Sequence, residues 1–454
     1  MFKKIFTRWT HKYDAKTPTQ HANQFYFEII HQSKKSKARV GVIHTPHGTI
    51  DTPSFVSVGT NGSLKALDNA FIEKEPGSRL MFCNTYHLLI HPKVDTVVKA
   101  GGLHKYINRS SPIITDSGGF QIFSLQTHTN KVKELKGASG KKFENNSGNL
   151  IVKINEDGAI VRSYRDGSKF LLSPESTIQA QKAFGSDIMI PLDELLPINV
   201  SHSRLLESFD RTHRWEVRSL NEHLKNKNSP TTGLHQAMYC VVHGGMDREL
   251  RSRSIDLLLK EPFDGVSIGG SLGSDRSELV DILSYIMPRV SSPMLKTIHD
   301  LSTNKRRNIL CDYPNHVLGM GDLDSVLGFL QLGVDTFDSA YPTRLARHGS
   351  LLAFQEDTPS HVLESIKTGD VSKLTYMPKI IQKKVHQNVY SQNYSTIDTS
   401  CGCYACRESY SLSYLHHLYK MHEPTFSTLS TMHNLYFMNK VMEIKRHLIM
   451  NNYV

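Results

Sequence analysis

Eight short apolar runs punctuate the chain: PSFVSVGT, LMFCNTY, PIITDSGGF, IMIPLDE, MYCVVHGG, GVSIGGS, HVLGMGD and VDTFDSAYPTR. Each is too short for an isolated helix and rich in β-branched or aromatic residues, which predicts a buried strand. Each ends in polar or glycine-rich punctuation, and the segments between them are mostly long enough for a helix. This alternation predicts an α/β fold, a (β/α)8 TIM barrel, in which functional groups gather at the C-terminal ends of the strands. Asn84, Asp116, Asp193, His243, Gly270 and Asp338 would then converge on one cleft.

The flanking segments have their own patterns. Residues 1–23 read as a flexible basic arm, and residues 24–450 as one barrel domain. QFYFEIIHQ and ARVGVIHTPHGTI read as two N-terminal antiparallel strands across the basic turn SKKSK, placed to close the bottom of the barrel. After the third strand, THTNKVKELKGASGKKFENNSGN reads as an exposed excursion, and LIVKI and AIVRSY as a hairpin across NEDG. MPRVSSPMLKTIHDLSTNKRRN reads as a second excursion before the seventh strand. Beyond Asp338 the alternation breaks. Residues 345–433 read as an inserted subdomain, after which HNLYFMNKVMEIKRHLIM resumes helical periodicity as the last barrel helix.

Charge and cysteines narrow the chemistry. A net charge of +11 and a pI near 9.2 point to a polyanionic partner, nucleic acid ahead of membrane. No apolar run is long enough to span a bilayer, and the basic N-terminus lacks the apolar core of a secretory signal. Cys83, Cys240 and Cys311 fall in or beside predicted strands, where a free thiol packs as a small hydrophobe. Cys401, Cys403 and Cys406 form C-x-C-x2-C, which predicts a structural Zn2+ rather than a disulfide framework and suits a reducing cytoplasm. Four ligands close such a site. His433 is the preferred fourth, with His416, His417 and His422 nearer in sequence.

The carboxylates carry the candidate reaction. Asp116 lies in TDSGGF, where Ser117, Gly118 and Gly119 allow a flat ligand to approach the backbone. Asp338 lies in DTFDSAYPTR, ahead of Thr343, Arg344 and Arg347. A lone aspartate most often forms a turn or caps a helix. Several at strand ends suggest more. Two carboxylates across a sugar permit a double displacement, one attacking the anomeric carbon while the other moves the leaving group's proton. Guanidinium forks next to them suit phosphates or base edges.

With TPSFVSVGT, NTYHL, TDSGGFQ, LDE, VVHGG, IGG, VLGMG, DTFDSAYPTR and CGCYAC…H in this order, the chain resembles the tRNA-guanine transglycosylases, most closely the bacterial type. The resemblance implies exchange of the guanine at wobble position 34 of a tRNA for a free deazaguanine base, queuine or its aminomethyl precursor. Asp338 matches the family's nucleophile and Asp116 its general acid/base. Asp193 matches the reader of the base N1/N2 edge, Gly270 an amide donor to O6, and Phe120 and Leu318 the two stacking faces. Gly319, Met320, Gly321, Asp322, Thr343, Arg344 and Arg347 match RNA-contacting positions, and the Cys/His set the structural zinc. A homodimer is expected. His243 stands where the family carries Gln, which removes the dual amide contact. Gly273 stands where bacterial members carry a bulkier Val, implying room for queuine. A catalytically silent partner subunit and an exchanger acting elsewhere in the tRNA are the competing readings.

Overall fold

The structure, a computed structural model, describes residues 24–75, 77–120, 151–291, 293–300 and 305–454. All eight predicted strands form, as one closed parallel barrel. Its strands are Ser54–Val58, Met81–Cys83, Ile113–Thr115, Ile188–Met189, Ala237–Val242, Gly265–Ile268, Asn315–Val317 and Thr336–Ser339. The last pairs with the first, Asp338 opposite Val56, which closes the ring.

Side-chain alternation along each strand builds two separate cores. On Ala237–Val242, Met238, Cys240 and Val242 face the surrounding helices, while Tyr239 and Val241 face the barrel interior. The same parity sends Phe337 outward to the helices and sets Thr336 and Asp338 on the interior side. His316 likewise alternates with outward Val317. The catalytic candidates therefore sit on the inward face because their strand neighbours are apolar and outward.

The bottom of the barrel is plugged by an antiparallel sheet. Phe27, Ile43 and Ile50 of this sheet pack against inward Val56, Ile114, Ile188 and Tyr239. The sheet has five strands, in the order Met294–Asp300, Lys305–Cys311, Tyr26–Gln32, Arg39–Thr45 and Gly48–Thr52. ARVGVIHTPHGTI thus folds back on itself as two strands where one was expected. The second basic excursion is corrected more strongly. It finishes the helix Arg276–Val290 and then forms a hairpin that joins the plug through Glu28 opposite Cys311. Buried Arg39 ties plug to barrel, with its guanidinium on Asp312 and on Asp335, the residue preceding the eighth strand. Such a buried pair breaks at high cost when one partner is removed.

A second polar cluster locks the same end. Asp187 accepts from Ile113 N at 2.9 Å and meets His47 Nδ1 at 2.8 Å and His104 Nε2 at 3.2 Å. The two imidazoles are stacked with centroids 3.5 Å apart and 13° between their planes. Parallel rings in this arrangement cannot both hold one ion in their planes, so the cluster reads as an ion-paired lock in which the histidines hold the Asp187 carboxyl well below the usual carboxylate range.

LIVKI and AIVRSY form the expected hairpin, and Lys169–Leu172 adds a third strand. The first excursion and the N-terminal arm lie outside the described residues. After the helix Tyr341–Arg347 come a two-stranded antiparallel sheet, Ser350–Phe354 with Ile380–Lys384, and the helices that carry the cysteine cluster. The final helix spans Pro424–Met450, so it starts upstream of His433. Proline in its first turn, where no N–H is needed, marks the true start. Among the described residues no helix is long and apolar enough to cross a membrane.

Candidate active site and metal centre

The carboxylates converge as expected, at the C-terminal mouth of the barrel. Asp338 is 6% exposed. Its Oδ1 accepts from Gly319 N at 2.8 Å and from His316 Nε2 at 3.1 Å. The far side of the imidazole, Nδ1, lies 2.9 Å from Thr336 Oγ1. Two donors on one oxygen fix the carboxylate's direction and leave its other oxygen free to react. His316 was not picked out from the sequence. Its inward parity next to Val317, on the strand beside that of Asp338, was the available signal.

Asp116 follows the third strand. Asn84 holds it: this residue caps the helix Thr85–Ile90 through His87 N and turns its amide onto Asp116 Oδ2. Thr85 N donates to Oδ1 at 2.9 Å. Burial pushes the Asp116 carboxyl up to about 7, the Thr85 amide pulling the other way and the charges of Asp193 and Asp338 adding to the rise. A carboxyl poised near neutrality can both give and take a proton.

Asp193 lies under the glycine turn. A Cβ on Gly119 would sit 1.9 Å from Asp193 Oδ1, so only glycine lets the backbone come this close. Ser117 is buried and its hydroxyl accepts from Gly119 N, bracing the same turn. The next residue, Glu194, is bound by Arg204 and Arg211 of the helix His202–Leu224, which leaves Asp193 as the acid facing the cleft. His243 Nε2 lies 3.3 Å from Asp193 Oδ2. Gly270, at φ +72°, sits beside His243, and Leu318 borders the same strand ends. Phe120 is 41% exposed.

The predicted RNA-contacting positions separate. Arg344 is exposed and Arg347 half-buried on Tyr341–Arg347, where burial and the neighbouring Arg344 charge lower the Arg347 guanidinium. Arg347 Nη1 is buried and makes no hydrogen bond. Two cations with no carboxylate between them suit a polyanion. Thr343 and Met320 are buried, so they offer a ligand only their backbone. Asp322 caps the helix Leu323–Gln331, and a Cβ on Gly321 would strike Ser339. Gly273 also departs from expectation. At φ +107°, its absent Cβ would lie 2.6 Å from Glu278 Cβ, so its lack of a side chain relieves a contact with the helix Arg276–Val290.

A cavity of about 210 Å³ adjoins His243 and Gly270. His243, Gly270, Ser271, Leu196, Leu205 and Phe209 are among its lining residues. Neither Asp116 nor Asp338 lines it.

The cysteine cluster is assembled as predicted, with His433 as the fourth member. His433 Nδ1 lies 3.6, 3.4 and 3.5 Å from the Sγ atoms of Cys401, Cys403 and Cys406. Tetrahedral coordination with metal–sulfur and metal–nitrogen bonds of about 2.3 and 2.0 Å puts S and N about 3.5 Å apart. His433 Nε2 donates to Leu352 O at 2.6 Å, which leaves Nδ1 unprotonated for a metal. The donor set therefore fits a closed structural metal site. His416 is not part of the cluster, and its Nδ1 donates to Val385 O at 2.7 Å.

Comparison with known proteins agrees with this geometry. The family model described as queuine tRNA-ribosyltransferase matches residues 33–454. A queuine tRNA-ribosyltransferase of Protochlamydia amoebophila is 46% identical over 435 residues, covering 96% of this chain and 98% of that protein. Those of Chlamydia caviae and Chlamydia felis are 42% and 43% identical over 427 residues, covering 94% of this chain and 98% of each. A closed barrel with converging carboxylates, a Cys3His centre and these matches over nearly the whole chain together show that the chain belongs to the queuine tRNA-ribosyltransferase family, whose members are tRNA-guanine transglycosylases.

Proposed function

We propose that the cleft exchanges the guanine at wobble position 34 of a tRNA for a free 7-deazaguanine base by double displacement. The observation that carries this is the grouping of Asp116, Asp193 and Asp338, with Asp116 raised to about 7 and Asp338 held by two donors. Asp338 attacks C1′ of the nucleoside, and the electron pair of the broken glycosidic bond leaves with guanine, which takes the proton of Asp116. The incoming base returns a ring proton to Asp116 and displaces the Asp338 carboxylate from C1′. Asp193, His243 and the Gly270 amide read the base edge, Phe120 and Leu318 cover its faces, and Arg344 and Arg347 hold the phosphates beside it. The target must leave the anticodon stack to reach this depth.

Incubation with radiolabelled guanine and a full-length G34 tRNA tests the reading. Label is expected at position 34 and in no other nucleotide; an unlabelled tRNA refutes it. The cavity beside His243 and Gly270 supports an incoming base with a substituent, and competition between queuine and the aminomethyl precursor identifies which one. A homodimer in the cytoplasm completes the proposal, in keeping with three cysteines clustered for a metal rather than for disulfides. A sedimentation mass of one chain would refute the dimer.

The metal is assigned as Zn2+, on three thiolates and one imidazole at tetrahedral spacing. It fastens the loop of Cys401–Cys406 to the final helix and takes no part in the reaction. Cys403→Ser is expected to lose the metal and on the order of 4 kcal/mol of stability. Metal analysis and thermal unfolding of the same sample check this. Full zinc content in Cys403→Ser would refute the ligand set.

A further inference from the structure

Arg251 lies on the helix Arg248–Leu258 and has no exposed surface. Among the described residues it pairs with no carboxylate, and burial alone pulls its guanidinium down to about 9. All its partners are backbone carbonyls. Nε donates to Gly245 O at 2.8 Å, Nη1 to Val242 O at 2.6 Å and Gly269 O at 2.8 Å, and Nη2 to Ser271 O at 2.9 Å. These carbonyls flank His243 on one loop and Gly270 on the next. A Cβ placed on Gly270 would lie 3.4 Å from both Arg251 Nη2 and His243 Nδ1. One turn along the helix, fully buried Ser254 accepts from His243 N at 3.1 Å and contacts His213 Nε2 at 2.8 Å.

A buried cation without an anion is costly, and an apolar side chain would fill the space more cheaply. The guanidinium does one thing an apolar chain cannot. Its planar fork joins carbonyls of two separate loops in one fixed geometry. We propose that Arg251 is a positioning residue for base recognition, locking the loops after the fifth and sixth strands so that His243 and the Gly270 amide face the base. The inference rests on the base-exchange reading above. It assigns Arg251 to the base half of the reaction and gives it no part in holding RNA.

Steady-state exchange on the full-length protein tests this, with guanine varied at saturating tRNA and then tRNA varied at saturating guanine. Arg251→Met is expected to raise KM for guanine roughly tenfold or more, since misplaced binding groups cost that much. KM for tRNA should stay within about twofold. Arg251→Lys, which keeps the charge but lacks the fork, is expected to fall between wild type and Met, and it decides the matter if the Met variant does not fold. An unchanged guanine KM in a folded variant, or equal rises in both KM values, would overturn the proposal. Wild-type protein in the same assay separates the two failures, because no exchange by wild type refutes the activity itself.

Discussion

Asp338→Asn is expected to abolish base exchange, by at least on the order of 10³-fold, together with any protein–RNA adduct that survives denaturation. The substitution is nearly silent for the fold. Asn keeps an oxygen that can accept from Gly319 N and His316 Nε2, the two donors that now hold the carboxylate. What it loses is the negative charge and the second oxygen that can bond to C1′. Denaturing electrophoresis of enzyme mixed with tRNA, and labelled-guanine incorporation, read the two effects. An Asp338→Asn protein with substantial exchange would remove Asp338 from the nucleophile's role.

Asp116→Asn is expected to slow exchange by about 10²- to 10⁴-fold, the usual worth of a positioned proton carrier. The pH dependence distinguishes this role from simple packing. The Asp116 carboxyl is raised to about 7, chiefly by burial. Its protonated form, needed to release guanine, is present below that value and lost as pH rises through it. Its ionised form, needed to accept a proton from the incoming base, is present above that value and lost as pH falls. Adduct formation in a single turnover should therefore decline above about pH 7, and release of the adduct to a new base should decline below it. Asp116→Asn should flatten both limbs, and a wild-type profile persisting in the variant would exclude Asp116 as the carrier.

The barrel was legible because each strand is a short apolar run, and Asp116, Asp193 and Asp338 because each closes or follows such a run. The metal site was legible for a different reason, since three cysteines in C-x-C-x2-C have few other uses. What escaped is instructive. Met294–Asp300 and Lys305–Cys311 were read as an excursion because Lys, Arg, Thr and Asn mask their extended character. They pair with each other as a hairpin, and only Cys311, opposite Glu28, joins that hairpin to a strand far away in sequence. Arg251 sits in RELRSRSIDLL, where a charged residue ordinarily reads as solvated. Yet Leu250, Ile255 and Leu258 share its face at helical spacing, and that stripe was the available signal. Gly273 was misread in the other direction. Its missing side chain was assigned to the base pocket, but its direction follows from φ +107°, which aligned letters do not reveal.

The plug and the final helix have a consequence for how the protein is made. Ala38 and Val40 of the plug pack on Ile449, Arg446 Nη1 donates to Pro53 O, and Lys34 N donates to Asn452 Oδ1. The first barrel strand, Ser54–Val58, pairs early with Met81–Cys83 but finds its second partner only at Thr336–Ser339. On a ribosome, that first strand waits with an unpaired edge through most of translation, and its outer seal arrives last. Such long-range closure folds slowly and leaves edges open to misassembly. Asp338 gains its inward setting only when this ring shuts. A nascent chain that stalls before Thr336–Ser339 thus has an open ring and an incomplete cleft.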